Sequence, residues 1–262
     1  MRCISLLTDF GLSDNFVGVM KAVILKINPS VSIIDISHNI EPQNVFQASF
    51  LLKHSFKYFP KGTIHLAIVD PGVGTDRKAI LVKTRNYFFI APDNGVLSLT
   101  LEEESPQEII QIDNPKYFLK PVSHTFHGRD IFSPVAGYLS RGISIYNFGK
   151  PIKKIKKIHF PKPEIKKDKL YGQIIYIDNF GNLVTNISKD TFLGFVRKRK
   201  FVLRIRNKII NRISTSYQDS DKKETIALFN SFDSLEISIR EGSAKEALKA
   251  EISTPIEIII VK

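Results

Sequence analysis

Three polar turns in the first half of the chain carry side chains that could do acid–base or ligand-binding chemistry. Their sequences are TDFGLSD (8–14), VDPGVGTDR (69–77) and SHTFHGRDIF (123–132). Asp70 and Arg77 lie seven residues apart across a turn rich in glycine and proline, so they can meet as an ion pair. Such a pair is either a surface salt bridge of small energetic value or part of a working site.

The histidine-rich turn is open to three interpretations. His124, His127 and Asp130 are plausible metal ligands, but their spacing matches no HExxH or Cys/His zinc pattern. His127 can instead act as an acid–base group near neutral pH. The plainest alternative is a polar loop, with Arg129 and Asp130 at the start of the next helix. All three interpretations stay open at this point.

The first acidic turn contains two aspartates with different expected roles. Asp14 is placed to cap the helix that follows, as aspartates after a strand often do. Asp9 precedes a Phe-Gly turn and is better placed to accept hydrogen bonds from two neighbouring ribose hydroxyls. The turn at 69–77 lacks the spacings of the P-loop and of the dinucleotide-binding motif, so we do not expect it to bind nucleotide phosphates.

Two segments of the second half combine turn residues with groups that can recognise a base. They are YIDNFGNLVTN (176–186) and STSYQDS (214–220). Asp178 and Asn182 are typical of a hairpin turn, and the amide of Asn182 can also read a base edge through its donor and acceptor. Tyr217 is an aromatic side chain in a polar loop, the kind of residue on which a base stacks.

The elements that position these turns follow from hydrophobic periodicity. Before residue 150, predicted strands and helices alternate, with strands at 4–7, 31–37 and 63–70, a hairpin-like pair within 79–92, and helices that begin after Asp14 and at Pro42. This order predicts an α/β fold with a mostly parallel sheet and helices on both faces. Ligands bind beyond the carboxyl ends of such strands, which is where Asp9, His38 and Asp70 fall.

The second half has a different pattern. After residue 170 the chain consists mainly of short strands separated by Gly, Asn and Asp, which is typical of a small antiparallel β barrel. The Lys- and Pro-rich stretch before it has little periodicity and is predicted to be extended. We therefore expect an α/β N-terminal domain over 1–158, a linker over 159–169 and a C-terminal β-barrel domain over 170–262.

Composition excludes several classes of protein. The chain of 262 residues has a single cysteine, so it forms no internal disulfide and no Cys-rich zinc site. It contains no apolar run of the roughly 18–20 residues that a membrane span needs, and a cytoplasmic location is expected. Residues 151–262 carry +10 of the net charge of +12, but their pattern predicts neither interleaved exposed aromatics nor a recognition helix. This favours a solvated Lys-rich face, and we expect no nucleic-acid partner.

Seven motifs along nearly the whole chain carry a resemblance to a known family. In order they are LLTDFGLSDNFVGVMK, DISHNIEP, VDPGVGTDR, APDNG, TFHGRDIF, YIDNFGNLVTNI and FNSFDSLEI. The chain resembles the S-adenosyl-L-methionine (SAM) hydroxide adenosyltransferases, or SAM hydrolases, which are relatives of the SAM-dependent fluorinases and chlorinases. The resemblance implies an α/β domain followed by a small β barrel. It also implies a homotrimer that binds SAM where the N-terminal domain of one subunit meets the C-terminal domain of its neighbour.

The resemblance also implies a reaction and a set of site residues. Water or hydroxide attacks the ribose C5′ and methionine leaves, giving adenosine, with no metal or redox cofactor. Matched motif by motif, the catalytic triad is Asp70, Arg77 and His127, and either Asp70 or His127 can take the proton. The implied substrate-binding residues are Asp9 for the ribose hydroxyls, Asp178 and Ser231 for the methionine end, Asn182 and the backbone near Ala244 for the adenine edge, Phe180 and Tyr217 for the adenine ring, and His38 and Phe126 as nearby lining.

Two departures from the fluorinases bear on the activity. Fluorinases have a Tyr-Ser pair where this chain has His127 and Gly128, and glycine lacks the hydroxyl that helps to hold a halide. Asp70 stands where a fluorinase has tyrosine, and a carboxylate repels a halide but can accept a proton from water. The expected activity is therefore hydrolysis. A SAM-dependent halogenase and a non-catalytic adenosine- or SAM-binding protein are the alternatives.

Overall fold

The computed structural model describes residues 3–261 of the chain. These residues form two compact units, of which the first ends at His159 and the second begins at Phe160. Each unit has its own hydrophobic core and is described separately.

The first unit contains a sheet that is parallel on one side and antiparallel on the other. Its described strands lie in the order β2-β1-β3-β5-β4-β6-β7, and β2, β1, β3 and β5 are parallel neighbours. The remaining pairs, β5-β4, β4-β6 and β6-β7, are antiparallel. The elements are β1 (Cys3–Thr8), α1 (Phe16–Ile27), β2 (Ser32–Ser37), α2 (Val45–Ser55), β3 (Ile64–Ile68), β4 (Ala79–Thr84), β5 (Phe88–Pro92), α3 (Thr100–Glu103), β6 (Pro106–Ile112), α4 (Ser133–Ser140) and β7 (Gly149–Pro151).

Helices cover both faces of this sheet. Successive side chains along a strand point to opposite faces, so both faces present apolar groups for helices to cover. On β1, Ile4 and Leu6 belong to the cluster that α1 and α4 cover, whereas Leu7 belongs to the cluster that α2 covers. The predicted α/β class is therefore confirmed, with a sheet that is mixed. Asn15, and not Asp14, is the N-cap of α1, so the capping role predicted for Asp14 is wrong.

The second unit is an antiparallel sheet that nearly closes into a barrel. Its described strands follow the order β12-β11-β15-β9-β10-β14-β13, and β8 pairs with β9 off this path. The elements are β8 (Glu164–Lys166), β9 (Lys169–Ile177), β10 (Leu183–Ser188), α5 (Lys189–Val196), β11 (Phe201–Ile205), β12 (Lys208–Ile210), β13 (Thr225–Phe229), β14 (Ser234–Ile239), α6 (Ala244–Leu248) and β15 (Pro255–Ile260). The predicted small barrel is confirmed.

The Lys- and Pro-rich stretch between the barrel and the α/β sheet is more ordered than its composition indicates. Residues 164–166, inside the segment predicted as a linker, form β8. Earlier in the stretch, the backbone N–H of Lys156 donates to Asp93 and that of Ile158 donates to Ser98, at 2.7 and 3.0 Å. The segment before His159 therefore packs onto the first unit.

Candidate active site

Two of the acidic turns leave the sheet at the same edge. β1 and β3 run parallel with Thr8 opposite Ile68, and Asp9 and Asp70 follow these residues closely in sequence. The carboxyl ends of parallel strands are where open α/β sheets bind ligands. The topology thus places Asp9 and Asp70 on the edge where a site is expected.

Arg77 joins Asp70 and His127 in one hydrogen-bonded chain. Its Nε donates to both carboxylate oxygens of Asp70 at 2.9 Å, and its Nη2 donates to Oδ2. The same Nη2 lies 2.8 Å from Nδ1 of His127. The side chains of Asp70 and Arg77 are each only 6% exposed. The ion pair predicted from spacing therefore exists, and it is a buried pair.

The contact between Arg77 and His127 determines which ring nitrogen carries the proton. A guanidinium only donates, so Nδ1 of His127 accepts and the proton of the neutral ring resides on Nε2. Burial lowers the pKa of His127 and the charge of Arg77 lowers it further, against smaller upward effects of Asp70 and Asp130. The ring is therefore neutral at pH 7 and offers an N–H donor at Nε2.

The turn that carries Asp70 and Arg77 meets the loop that carries His127 at Gly74. Its φ is +78°, and a Cβ at this position would lie 2.3 Å from the carbonyl oxygen of His124. Only glycine satisfies both the left-handed backbone and the close approach. His124 thus contributes its backbone to the junction while the residue as a whole is exposed.

His127 directly precedes a π-helical turn, Gly128–Phe132, that continues into α4. The predicted helix start at Arg129 is confirmed in place, with π geometry, which is rare and recurs at functional sites. Asp130 is fully buried and accepts from Arg129 Nε at 2.6 Å and from the Ser123 N–H at 2.8 Å.

Within residues 3–261 no three His, Cys, Asp or Glu side chains form a group that could hold a metal ion.

The site has little space for a side chain at Gly128. A Cβ there would lie 3.2 Å from Met20 Sδ, 3.2 Å from the Phe126 ring and 3.5 Å from the Phe10 ring. Phe126 packs edge-on against Phe10 and Phe16, with ring centroids 5.9 and 5.2 Å apart. A serine at this position would require Met20 and Phe126 to shift by a few tenths of an ångström.

Asp9 and His38 both lie near the turn after β1, but they face different surroundings. Asp9 is half-buried, and one of its oxygens accepts from the Gln43 N–H at 2.8 Å. His38 is buried, with Nδ1 2.8 Å from Thr8 Oγ1 and Nε2 3.0 Å from Asp35 Oδ1. Asp9 is therefore accessible to a ligand, whereas His38 supports the turn from within the protein.

In the second unit, Asp178 organises the turn between β9 and β10. Its Oδ1 accepts from the N–H groups of Phe180 and Asn182 at 2.9 Å, and its Oδ2 accepts from Asn182 Nδ2 at 2.8 Å. Phe180, at the tip of the turn, is 76% exposed. The turn role predicted for Asp178 and Asn182 is present. Asn182 binds Asp178 through its amide nitrogen, so its side-chain oxygen is not used in this contact.

The same turn contacts the start of α6. Gly181 has φ +81°, and a Cβ there would lie 2.2 Å from Ser243 Oγ. The Lys245 N–H donates to the Gly181 carbonyl at 2.9 Å, and Ala244 between them is fully buried. The backbone near Ala244 therefore lies beside the turn that carries Asn182, as an adenine-edge site built from both requires.

Several of the substrate-binding residues predicted for the second unit surround one cavity of about 510 Å³. Its polar lining includes Asp178, Tyr217, Asn230, Ser231 and Glu236. Sequence reasoning identified three of these residues and missed Asn230 and Glu236. Tyr217 Oη donates to Glu236 at 3.0 Å, and burial together with this carboxylate raises the pKa of Tyr217 to about 12.

Comparison with known proteins identifies the family of both units. The family model of the SAM hydroxide adenosyltransferase N-terminal domain matches residues 4–149, and that of the C-terminal domain matches residues 172–257. No helix in the described part of the chain is long and apolar enough to cross a membrane.

Individual relatives match over the full length. The (R)-S-adenosyl-L-methionine hydrolases of Methanocaldococcus jannaschii and Thermus thermophilus are 36% and 30% identical, covering 98% and 99% of this chain and 95% and 100% of their own. The solved structure of an uncharacterised conserved protein from Thermotoga maritima superposes with a TM-score of 0.91 at 40% identity, covering 98% of this chain and 99% of that one. A fluorinase from Actinoplanes is 26% identical and covers 71% of this chain and 72% of its own. The chain belongs to the SAM hydroxide adenosyltransferase family.

Proposed function

We propose that this protein hydrolyses SAM to adenosine and L-methionine. The observation that carries the proposal is the hydrogen-bonded chain of Asp70, Arg77 and His127, in which a carboxylate and a neutral imidazole flank one guanidinium. The curated relatives of full-length similarity are SAM hydrolases by name. The chemistry needs little more than these groups, because the sulfonium of SAM is already a good leaving group.

In the proposed step, the oxygen of a water molecule attacks the ribose C5′ as the C5′–S bond breaks. The bonding electron pair goes to sulfur, which leaves as the neutral thioether of methionine. His127 orients the water through its Nε2–H, and Asp70 takes the proton, because the accepting nitrogen of His127 is already used by Arg77. The proton then passes to solvent. Arg77 keeps the carboxylate in place through paired hydrogen bonds.

The remaining predicted residues are proposed to bind the parts of SAM that do not react. Asp9 accepts from the ribose hydroxyls. Phe126 forms part of the wall near C5′, and His38 acts through the turn that carries Asp9. Around the second-unit cavity, Asp178 and Ser231 bind the methionine end. The adenine-binding residues are Asn182 and the backbone near Ala244 at the base edge, with Phe180 and Tyr217 against the ring.

We further propose that the protein is a homotrimer whose sites combine residues of neighbouring subunits. Light scattering should then give three times the chain mass. At low SAM, an equal mixture of Asp70→Asn and Asp178→Asn subunits should turn over more substrate than the average of the two variants measured separately, because some sites then contain both native residues. No excess over that average after subunit exchange would contradict shared sites. A cytoplasmic location stays a prediction.

Hydrolysis is favoured over halogen transfer by the geometry at Gly128. A halide-holding hydroxyl is absent there, and a Cβ would meet Met20 and Phe126 at 3.2 Å. Incubation with SAM and excess chloride or fluoride should therefore yield adenosine and no halogenated nucleoside. Formation of a 5′-halo-5′-deoxyadenosine would identify a halogenase instead.

The direct test is incubation of the purified protein with SAM, with adenosine and methionine followed by chromatography. We expect the two products in equal amounts and above the spontaneous rate. Tight SAM or adenosine binding without turnover, by a protein shown to be folded, would contradict hydrolysis and identify a binding protein.

A further inference from the structure

Glu236 is a buried carboxylate in the barrel whose partners are all neutral. It is 3% exposed and lines the second-unit cavity. One oxygen accepts from Tyr217 Oη at 3.0 Å and from Ser238 Oγ at 2.5 Å, and the other accepts from Asn230 Nδ2 at 3.0 Å. Among residues 3–261, no Lys, Arg or His forms an ion pair with it. Burying a charge in this way is costly, so the three donors must compensate it.

Through Asn230, Glu236 holds the turn that carries Ser231. The Asn230 side-chain oxygen accepts from the backbone N–H groups of Phe232 and Ser234, at 2.9 and 3.2 Å. This leaves the Asn230 amide nitrogen free to donate to Glu236. One face of the asparagine therefore shapes the turn while the other attaches the turn to the barrel.

Through Tyr217, Glu236 holds a second and separate loop. Tyr217 belongs to a short helical turn whose capping box joins Ser216 to Asp219. The residue is 46% exposed although its hydroxyl is bonded inside the barrel. The ring thus stays available for stacking while its end is anchored, an arrangement that phenylalanine could not provide.

We propose that Glu236 is a positioning residue for SAM binding, because it fixes Tyr217 and the Ser231 turn in one arrangement before the substrate arrives. This inference rests on the proposed function and assigns the same site a residue that acts through two others. A platform that is already ordered avoids the entropy cost of ordering two loops at the moment of binding. Loss of Glu236 is therefore expected to weaken binding and to leave the chemical step intact.

The test compares steady-state SAM hydrolysis by the wild-type protein, Glu236→Gln, Tyr217→Phe and the double variant. Glu236→Gln is expected to raise KM about tenfold, the factor that corresponds to one hydrogen bond to a charged group, and to leave kcat nearly unchanged. Tyr217→Phe is expected to raise KM by a smaller factor. The KM change of the double variant should be smaller than the product of the two single changes, because both substitutions weaken the same Tyr217–Glu236 contact. Glu251→Gln, an exposed carboxylate in the same unit, is the matched control.

A spectroscopic readout separates positioning from a general loss of structure. The Tyr217 phenol should ionise at lower pH in Glu236→Gln than in the wild type, seen as a tyrosinate absorbance change that Tyr217→Phe lacks. Calorimetric titration with adenosine should also show weaker binding, by the part of the loss that comes from Tyr217, because adenosine lacks the methionine end assigned to Ser231. If Glu236→Gln does not fold, Tyr217→Phe alone must still raise KM.

Three results would overturn the inference. The first is a wild-type KM in a folded Glu236→Gln variant, and the second is a double variant whose KM change is the product of the two single changes. Both would leave SAM hydrolysis itself intact. The third is a wild-type protein that neither turns over SAM nor binds adenosine, which would overturn the proposed function and the inference together.

Discussion

Asp70 in the first unit and Asp178 in the second unit are both turn carboxylates, and they are held in opposite ways. The guanidinium of Arg77 donates hydrogen bonds to Asp70 and also to His127, which lies on a second loop. Asp178 is held by its own turn, through two backbone N–H groups and the amide of Asn182. Asp70 is therefore bound by a charged side chain within a network that joins distant parts of the sequence. The partners of Asp178 are neutral groups of its own turn.

This difference indicates a division of labour between the units. In the first unit, the Asp70 carboxylate is already paired with the Arg77 cation. It can therefore accept a proton without attracting a second positively charged group. Among the described residues that line the second-unit cavity there is no Lys or Arg, while Asp178 and Glu236 are both present. Such a cavity suits a ligand that brings its own positive charge, as the ammonium and sulfonium of SAM do.

The largest effect is expected from Asp70→Asn, which removes the proposed proton acceptor and keeps the shape of the side chain. Adenosine formation should fall roughly 10²–10⁴-fold, the usual contribution of general-base assistance, while adenosine binding stays close to wild type. Steady-state rates and calorimetric titration measure the two quantities. Asp76→Asn, an exposed aspartate in the same turn, is the control. Equal loss in both variants would remove the special role of Asp70.

Gly74→Ala tests whether the junction of the two loops matters for the chemistry. The substitution forces the His124 carbonyl away and should lower kcat about 100-fold, because a displacement of about 1 Å at a reacting group has that cost. Gly62→Ala is the matched control, since Gly62 also has positive φ but has open space around it. The control should lose stability and keep its activity. Loss of activity in both would indicate a general effect of strain.

The pH dependence of kcat/KM tests the state of His127. Burial and Arg77 lower its pKa from 6.5, so the ring is neutral above that lowered value. As the pH falls through it, the ring takes a proton on Nδ1, the Arg77 contact is lost and the rate should fall about tenfold per pH unit. His127→Ala should lose this part of the acid limb. An activity that instead falls as the pH rises from 6 to 8 would contradict a neutral His127.

The smallest effect is expected from Asp178→Asn, which tests the binding half of the comparison. Asparagine keeps one oxygen for the turn but removes the negative charge, so KM for SAM should rise about fivefold with kcat unchanged. The exposed Asp190→Asn in α5 should behave as wild type. A loss of kcat rather than a rise in KM would place Asp178 in the chemical step and erase the contrast with Asp70.

Local patterns predicted most of the fold and part of the site. The periodic run of α1 and its end at Asn28, before Pro29, are visible in the sequence, as is the change to short strands after residue 170. Helix α5 was not predicted, because its eight residues include Gly194 and, before it, the β-branched Thr191 and the aromatic Phe192, and the segment is too short to show a helical period.

Long-range contacts are what the sequence could not reveal. In β14, Glu236 is buried as well as its neighbours Leu235 and Ile237, because Tyr217 from a distant loop bonds to it. In the same way, nothing near His127 in sequence indicates that Arg77 donates to its Nδ1. The order of the motifs could assign these residues to one family pattern. Only the fold shows which atom donates and which accepts in each hydrogen bond.

The central claim, attack of water on the ribose C5′, is tested most directly by hydrolysis of SAM in heavy-oxygen water. The account predicts adenosine with the heavy oxygen in its 5′-hydroxyl group and unlabelled methionine, with incorporation strongly slowed in Asp70→Asn. Adenosine without the label, or no adenosine from the folded wild-type protein, would contradict it.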